Sequence, residues 1–379
     1  MARHSFQIHV PDIELDDLRQ RLGNTRLPQA PAGEPWESGV DYGYLRDLVD
    51  YWRSDFDWRH QEDRLNAFPQ YMSVIEGQEV HYVCVRADRD RYSSAIPIIL
   101  SHGWPYSFVE FLDFSKRLSD PLTYGGSESD AFDVVIPSLP GYGYSPPLVD
   151  GYFTDYAVAA LWHRLMVHEL QYERYATYGE DVGTSISDWM GALYPDSVLG
   201  LFATHAAFPP EERSENLTKA EQDFRDWLSD KWRTARGYSA VQSTRPDTLT
   251  VGLNDSPSGL LAWLVEKFHE WSGPDFDQSW TPDDILTTTS LYWFTQSIGT
   301  SFLPYFHGRI HDKPIPLVDV PVGVAVQWGE RGFPREHAER TYTDLRDWTE
   351  LPSGGHFSAK QSPDLVASAM REFFSDLRD

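Results

Sequence analysis

The alternation of strand-like runs with helical patterns constrains the fold more than any other feature of the sequence. Short apolar runs bounded by turn residues recur along the chain, and helical patterns separate them. Strands joined in this way by crossover helices are typical of a parallel sheet that is covered on both faces. We therefore predict an α/β fold, with strands at 79–85, 96–101, 132–137, 175–178, 198–204 and 322–328.

Two regions break the alternation and set the domain organisation. Residues 1–90 are rich in Trp, Asp and Arg, and residues 208–312 have mostly helical patterns. Because the strand pattern resumes near Val320, the second region is an insertion in the sheet domain. Helices are predicted at 15–22, 44–56, 155–170, 211–236, 259–271 and 363–377. We predict an N-terminal meander at 1–90, a core at 91–207, a helical cap at 208–312 and the rest of the core at 313–379.

The charge balance argues against polyanionic partners. The chain has 32 basic and 58 acidic residues, a net charge of −26. Such a surface repels phosphate backbones and anionic lipid, so neither nucleic acid nor membrane is an expected partner. The N-terminus lacks the apolar segment of a signal peptide, and no run of 18 apolar residues occurs. We expect a cytoplasmic protein, and these features leave a homodimer open.

A candidate nucleophile lies in Gly179-Glu180-Asp181-Val182-Gly183, between a predicted strand and a predicted helix. This is the context of the G-x-S-x-G elbow, with Asp in place of Ser. Asp181 as an ordinary helix N-cap is the alternative. A hydroxyl that attacks an sp³ carbon forms a stable ether, whereas a carboxylate forms an ester that water can cleave. An Asp elbow therefore indicates alkyl transfer.

The acid and the base follow the nucleophile in chain order in folds with such an elbow. Glu330 follows the predicted strand 322–328, and His356 follows two glycines. We predict that His356 deprotonates water and that Glu330 orients the imidazole and stabilises its charged form. Asp312 and Asp319 are alternatives to Glu330, although Asp319 precedes the strand and would lie at its wrong end.

The segment His102-Gly103-Trp104-Pro105 follows the strand 96–101, where an oxyanion loop leaves the sheet in this type of fold. The backbone N–H groups of Trp104 and Val182 are the predicted oxyanion donors. His102 is either a second base or, preferably, a packed imidazole that fixes the loop. The nucleotide motifs G-x-G-x-x-G and the P-loop are absent, as is the zinc motif H-E-x-x-H, so we predict no cofactor and no metal.

Together these motifs resemble the epoxide hydrolases, specifically the branch similar to microsomal epoxide hydrolase. The resemblance extends over nearly the whole chain. It includes Phe-Asp-Trp-Arg at 56–59, Leu-Asn-Ala-Phe-Pro at 65–69, the oxyanion loop, the Asp elbow, Leu-Asn-Asp-Ser-Pro at 253–257 and Gly-Gly-His-Phe at 354–357. It implies an α/β-hydrolase fold and the conversion of an epoxide and water to a vicinal diol through an alkyl ester of Asp181.

The resemblance also implies two cap tyrosines that donate hydrogen bonds to the epoxide oxygen, and the matching positions are Tyr238 and Tyr305. An opening epoxide expels an alkoxide, and a phenol with a pKa of about 10 is a suitable acid. Two positions depart from the family pattern. Glu180 precedes the nucleophile and would raise its pKa if it pointed inward. Val182 follows the nucleophile where Trp is frequent.

Aromatic residues in the cap favour an apolar or aromatic epoxide, although helix packing explains them equally well. We predict a substrate pocket with His102, Pro105, Trp293 and Phe357. Bacterial relatives act in hydrocarbon degradation and in natural-product assembly, including that of enediyne antibiotics, and the predominance of Arg over Lys fits the latter setting.

Three other functions compete with epoxide hydrolysis. Haloalkane dehalogenases share the Asp elbow, but they hold the halide with indole donors, usually including a Trp at the position of Val182, and need no acid. A catalytically silent binding protein would normally lack at least one of the catalytic residues. An esterase would need a Ser elbow.

Overall fold

A nine-stranded sheet forms the centre of the molecule, which is described from a computed structural model covering residues 3–29 and 33–378. The strands lie in the order β1-β2-β3-β5-β4-β6-β7-β8-β9. The pairs β1–β2, β2–β3 and β3–β5 are antiparallel. All pairs from β5–β4 to β8–β9 are parallel. Their bounds are β1 (His4–Phe6), β2 (Gln70–Ile75), β3 (Gln78–Val85), β4 (Ile96–Ser101), β5 (Phe132–Pro137), β6 (Tyr175–Gly179), β7 (Val198–Ala203), β8 (Val322–Val326) and β9 (Leu345–Glu350).

The mostly parallel sheet confirms the predicted α/β class, and each predicted strand is present. Strands β1, β2 and β9 were not predicted. Strand β9 has the sequence Leu-Arg-Asp-Trp-Thr-Glu and alternates weakly, because it lies at the edge of the sheet and is largely exposed. By contrast, every residue of β5, β6 and β8 is buried, which explains their continuous apolar runs.

Helices cover the sheet and form the cap. They are α1 (Asp12–Gly23), α2 (Tyr42–Ser54), α3 (Trp58–Asn66), α4 (Leu112–Ser119), α5 (Asp155–Arg164), α6 (Val182–Leu193), α7 (Lys219–Ala235), α8 (Gly237–Thr244), α9 (Pro246–Asp255), α10 (Pro257–Ser272), α11 (Phe276–Ser279), α12 (Pro282–Thr295), α13 (Leu303–His311), α14 (Arg335–Ala338), α15 (Ser358–Gln361) and α16 (Pro363–Ser375). Helices α7 to α13 lie between β7 and β8 in the chain. Among the described helices, none combines the length and apolar character that a bilayer crossing requires.

Two predicted helices differ from the observed ones. The helix predicted at 211–236 begins only at Lys219, because Thr218 and Glu221 form a capping box that starts it there. The helix predicted at 155–170 is α-helical only to Arg164, and the chain then makes a π-helical turn over Leu165–Glu169.

The parallel strand register gathers four loops at one edge of the sheet. Ser101 at the end of β4 pairs with Gly179 at the end of β6, and Gly179 pairs with Ala203 at the end of β7. Ala203 in turn pairs with Val324 of β8. The segments that follow these strands therefore begin side by side, at the edge where parallel sheets place their ligands.

A buried carboxylate ties the first cap helix to the core. The side chain of Glu221 is fully buried and accepts hydrogen bonds from Arg340 Nε (2.5 Å), Arg340 Nη2 (2.9 Å) and His337 Nδ1 (2.9 Å). Its Oε2 also accepts from the backbone N–H of Thr218 (2.7 Å). These hydrogen bonds, those of Arg340 above all, lower the pKa of Glu221 to about 2 despite its burial.

We predict that Glu221→Ala lowers the free energy of unfolding by about 3 kcal/mol, because it removes one partner of a buried charged pair. Since the folded-state pKa lies below the ordinary 4.5, the stabilisation is complete above pH 4.5 and is lost as the pH falls towards 2. Urea unfolding followed by tryptophan fluorescence at pH 7 and pH 3 measures both effects. The control is Glu339→Ala, which breaks an exposed ion pair with Arg335 and should cost at most about 1 kcal/mol. Equal losses of unfolding free energy in the two variants would contradict the role of Glu221 in joining α7 to the core.

Candidate active site

Asp181 lies at the junction of β6 and α6 in a strained backbone conformation. Its φ is 55° and its ψ is −130°, a region that residues with a side chain rarely occupy. Such a conformation costs about 1–3 kcal/mol and is maintained by the surrounding structure. A Cβ atom on Gly183 would lie 1.9 Å from the carbonyl oxygen of Ser101, so only glycine lets α6 start this close to β4. The elbow therefore projects the Asp181 side chain beyond the sheet edge.

The two oxygens of the Asp181 carboxylate have different partners. Oδ1 accepts a hydrogen bond from the backbone N–H of Trp104 (3.1 Å), and Oδ2 lies 3.2 Å from His356 Nε2. Burial alone would raise the pKa of Asp181, but His356 and the amides of Val182 and Trp104 outweigh it and hold the pKa below its usual value. The carboxylate is thus ionised at neutral pH and can act as a nucleophile.

Glu180 points away from the nucleophile. Its Oε1 accepts hydrogen bonds from the hydroxyl of Tyr178 and from the backbone N–H of Ala359 (2.7 Å). Burial raises the pKa of Glu180 to about 7. It joins the elbow to the segment that follows His356.

His356 contacts a residue that the sequence did not single out. Its Nδ1 lies 3.2 Å from Nε2 of His205, which follows β7. Glu330 forms no ion pair with His356 in the described part of the chain, and its buried Oε2 has no hydrogen-bond partner there. Burial raises the pKa of Glu330, and the nearby charge of His356 opposes this shift. Asp319 is instead bonded to the hydroxyl of Thr343 (2.6 Å).

The two cap tyrosines, Tyr238 and Tyr305, pack edge to face near the oxyanion loop. Tyr238 on α8 and Tyr305 on α13 have ring centroids 5.9 Å apart, and each also packs against the indole of Trp104. Burial raises the pKa of both phenols above the usual value, and the Asp181 charge raises both further. Their hydroxyl groups therefore stay protonated at neutral pH and remain available as hydrogen-bond donors.

A cavity of about 420 Å³ opens in front of Asp181, between the sheet edge and the cap. This volume suits a small organic molecule. Its polar wall includes His205, Tyr238, Glu330 and His356. Its apolar wall comes mainly from the cap and the segment after β7, and it contains Ala206, Ala207, Phe208, Leu228, Trp232, Ala235, Trp271, Ile315 and Trp328. The described residues contain no cluster of His, Cys, Asp or Glu that could hold a metal ion.

The four residues predicted to form the substrate pocket do not line this cavity. Nε2 of buried His102 accepts a hydrogen bond from the backbone N–H of Leu139 (3.1 Å), so its ring fixes the oxyanion loop. Pro105 and Phe357 are buried, and the Arg21 guanidinium lies over the Trp293 ring. His102, Pro105 and Phe357 were inferred from nearness in sequence to the motifs, and Trp293 from the aromatic content of the cap. Neither signal determines the direction of a side chain.

Sequence reasoning missed His205 and most of the apolar wall. The signal for His205 was its position directly after the strand 198–204, at the same sheet edge as the elbow. No comparable signal marks Leu228, Trp232 or Ala235, because their place in the cavity depends on how α7 docks.

Comparison with known proteins gives consistent matches over the whole chain. Residues 3–111 match the family described as epoxide hydrolase N terminus, and residues 96–318 match the alpha/beta hydrolase fold. A relative from Stigmatella aurantiaca is 36% identical over 98% of this chain and 85% of its own length. Epoxide hydrolase 1 of Sus scrofa is 31% identical over 97% of this chain and 87% of its own length. The crystal structure of juvenile hormone epoxide hydrolase from Bombyx mori has a TM-score of 0.88 at 26% identity and covers 100% of this chain and 95% of its own.

We predict that Gly103→Ala lowers epoxide turnover by about a hundredfold or more, because a displacement of a reacting group by about 1 Å has that effect. A Cβ atom at this position would lie 2.3 Å from Asp181 Oδ1. Gly252→Ala on α9 is the matched control, since nothing lies within 4 Å of its added Cβ atom. Circular dichroism checks that both variants fold. Full activity of Gly103→Ala would contradict the observed position of the carboxylate.

Proposed function

The chain belongs to the epoxide hydrolase family, and from that premise we propose that it converts an apolar or aromatic epoxide to a vicinal diol through a covalent ester of Asp181. The observation that carries this proposal is the asymmetry of the Asp181 carboxylate. A backbone amide occupies Oδ1, while Oδ2 lies beside the imidazole of His356. A carboxylate held in this way has one oxygen to attack carbon and another already placed in an oxyanion site.

In the first step, Asp181 Oδ2 attacks a ring carbon of the epoxide. A bond forms between that oxygen and the carbon, and the bond between the same carbon and the epoxide oxygen breaks. Tyr238 and Tyr305 donate hydrogen bonds to the leaving oxygen, and one of them transfers its proton to the alkoxide. Because both phenols are protonated at neutral pH, the acid is in the required form before substrate binds.

In the second step, water attacks the carbonyl carbon of the ester. His356 takes a proton from the water, and the charge that develops on Oδ1 is stabilised by the backbone N–H of Trp104. The tetrahedral intermediate then expels the diol oxygen, which receives a proton from His356. Asp181 is left as the carboxylic acid and releases its proton to solvent, and the tyrosine that gave up its proton in the first step takes one up from solvent, so the enzyme returns to its starting state.

The walls of the cavity support an apolar or aromatic substrate. Phe208, Trp232 and Trp271 surround it with aromatic surface, and Lys231 and Glu270 are its charged cap residues. Small epoxides with an aryl or alkyl substituent match this lining and the volume of about 420 Å³. A cytoplasmic location, a homodimer and a role in natural-product assembly or in hydrocarbon degradation stay predictions from the sequence.

We predict that His356→Gln forms the ester but hydrolyses it very slowly, because the base for water is missing. Intact-protein mass spectrometry after incubation with styrene oxide should show one added substrate mass, and peptide mapping should place it on Asp181. Asp181→Asn is the control and should show no adduct. An adduct on another residue, or normal diol formation by Asp181→Asn, would contradict the covalent route.

We further predict that Tyr238→Phe and Tyr305→Phe each lower the rate of epoxide opening by about 10²–10⁴-fold, the usual contribution of a general acid. Halide release from a haloalkane needs no acid, so any such activity should be unaffected by these changes. Diol and halide assays on the wild type and both variants measure this. Halide release without diol formation in the wild type would favour a dehalogenase, and no turnover of a broad epoxide panel would favour a binding protein.

A further inference from the structure

His205 bridges the nucleophile and the base. Its Nδ1 accepts a hydrogen bond from the backbone N–H of Asp181 (3.2 Å), and its Nε2 lies 3.2 Å from Nδ1 of His356. The two imidazole rings meet at 69°, with centroids 4.7 Å apart. His205 also lines the cavity. Neither the oxyanion site nor the two steps described above assign it a task.

The hydrogen-bonding capacity of these groups fixes where the protons lie. A backbone N–H is a donor only, so His205 Nδ1 must be unprotonated. Burial above all, together with the nearby His356, lowers the pKa of His205 to about 3, so the ring is neutral and carries its proton on Nε2. That proton can only be donated to His356 Nδ1. His356 must then carry its own proton on Nε2, which faces Asp181 Oδ2 at 3.2 Å.

This tautomer is the wrong one for a base. To deprotonate water, His356 needs a free lone pair on Nε2 and its proton on Nδ1. A carboxylate that accepts from Nδ1–H normally provides that arrangement. Glu330 is the carboxylate predicted to have this role, and its buried Oε2 lacks a hydrogen-bond partner among the described residues. In the resting enzyme, Glu330 Oε2 is thus an acceptor without a donor, while His356 Nδ1 is occupied by His205.

We propose that His205 is a positioning residue that holds His356 as the Nε2–H tautomer in the resting enzyme. Ester hydrolysis then requires His356 to leave His205, to release its Nε2 proton to solvent and to take up a proton from solvent on Nδ1, which donates to Glu330. The part concerning hydrolysis rests on the proposed ester mechanism. Before attack, His356 Nε2 lies 3.2 Å from the negatively charged Asp181 Oδ2, without the alignment of a hydrogen bond. Once that oxygen is alkylated it loses its negative charge, so it holds the imidazole less strongly and the ring is free to move.

Two substitutions separate the functions of the two ring nitrogens. In His205→Asn, the side-chain oxygen occupies the place of Nδ1, so the acceptor for the Asp181 N–H is kept and the donor to His356 is lost. In His205→Gln, the side-chain amide group reaches the place of Nε2, so a donor to His356 is kept. His168→Asn, at an exposed histidine on the π-helical turn, is the control.

The kinetic test measures ester formation and ester hydrolysis separately, by rapid quenching with styrene oxide and intact-protein mass spectrometry. We expect His205→Asn to hydrolyse the ester about threefold to tenfold faster than the wild type, the range that corresponds to the loss of one neutral hydrogen bond. The rate of ester formation in His205→Asn should differ from that of the wild type by less than about twofold. His205→Gln should restore slow hydrolysis. In a Glu330→Gln background, His205→Asn should bring no acceleration, because the charged acceptor is absent.

Nitrogen-15 NMR of histidine-labelled protein tests the tautomer without relying on the ester. We expect His356, assigned by comparison with His356→Gln, to be the Nε2–H form in the wild type and the Nδ1–H form in His205→Asn. An Nδ1–H form in the wild type, or equal hydrolysis rates in the wild type, His205→Asn and His205→Gln, would overturn the proposal. Absence of an Asp181 ester in every variant would instead contradict the proposed function, and the NMR result would still decide the tautomer.

Discussion

The close approach of α6 to β4 is the contact on which the rest of the active site depends. It is possible because Gly183 has no side chain to collide with the carbonyl of Ser101. The approach forces Asp181 into its strained backbone conformation and brings its carboxylate under the backbone N–H of Trp104. The strained backbone thus holds an ionised carboxylate in a fixed orientation and in a buried position. The oxyanion site is part of the same arrangement, since the loop that provides it continues from β4.

The sheet was predictable because its strands have a local signal, and a local signal also singles out Asp181 and His356, whose roles as nucleophile and base stay predictions. Glycines on both sides of Asp181, two glycines before His356 and continuous apolar runs for buried strands can all be read within a few residues. Glu330 and the cap tyrosines depend on chain order and on resemblance, and their roles stay predictions. Strands β1 and β9 were missed because these edge strands are short or partly exposed. Strand β2 was missed because its buried positions include the polar residues Gln70 and Ser73, which interrupt the apolar pattern.

The cavity could not be predicted in the same way. Its apolar wall combines α7 with the loop after β7 and residues near β8, and only the docking of the cap brings these together. His102 and Phe357 illustrate the limit of reasoning by motif. Each lies next to a catalytic segment in sequence, yet His102 is bonded into its loop and Phe357 is buried behind His356 among other aromatic rings. His205 shows the reverse case, a residue outside every motif that contacts both Asp181 and His356.

The tyrosines belong to the inserted helices, while Asp181 and His356 belong to the sheet domain. In the proposed mechanism, bond formation to carbon and protonation of oxygen therefore depend on two parts of the chain that pack together but are separate in sequence. A change in how α8 and α13 sit would move the preferred point of attack from one ring carbon to the other without altering the reactivity of the carboxylate. Selectivity and catalytic power can diverge independently in such an architecture, and the insertion is where diversification among related enzymes should concentrate.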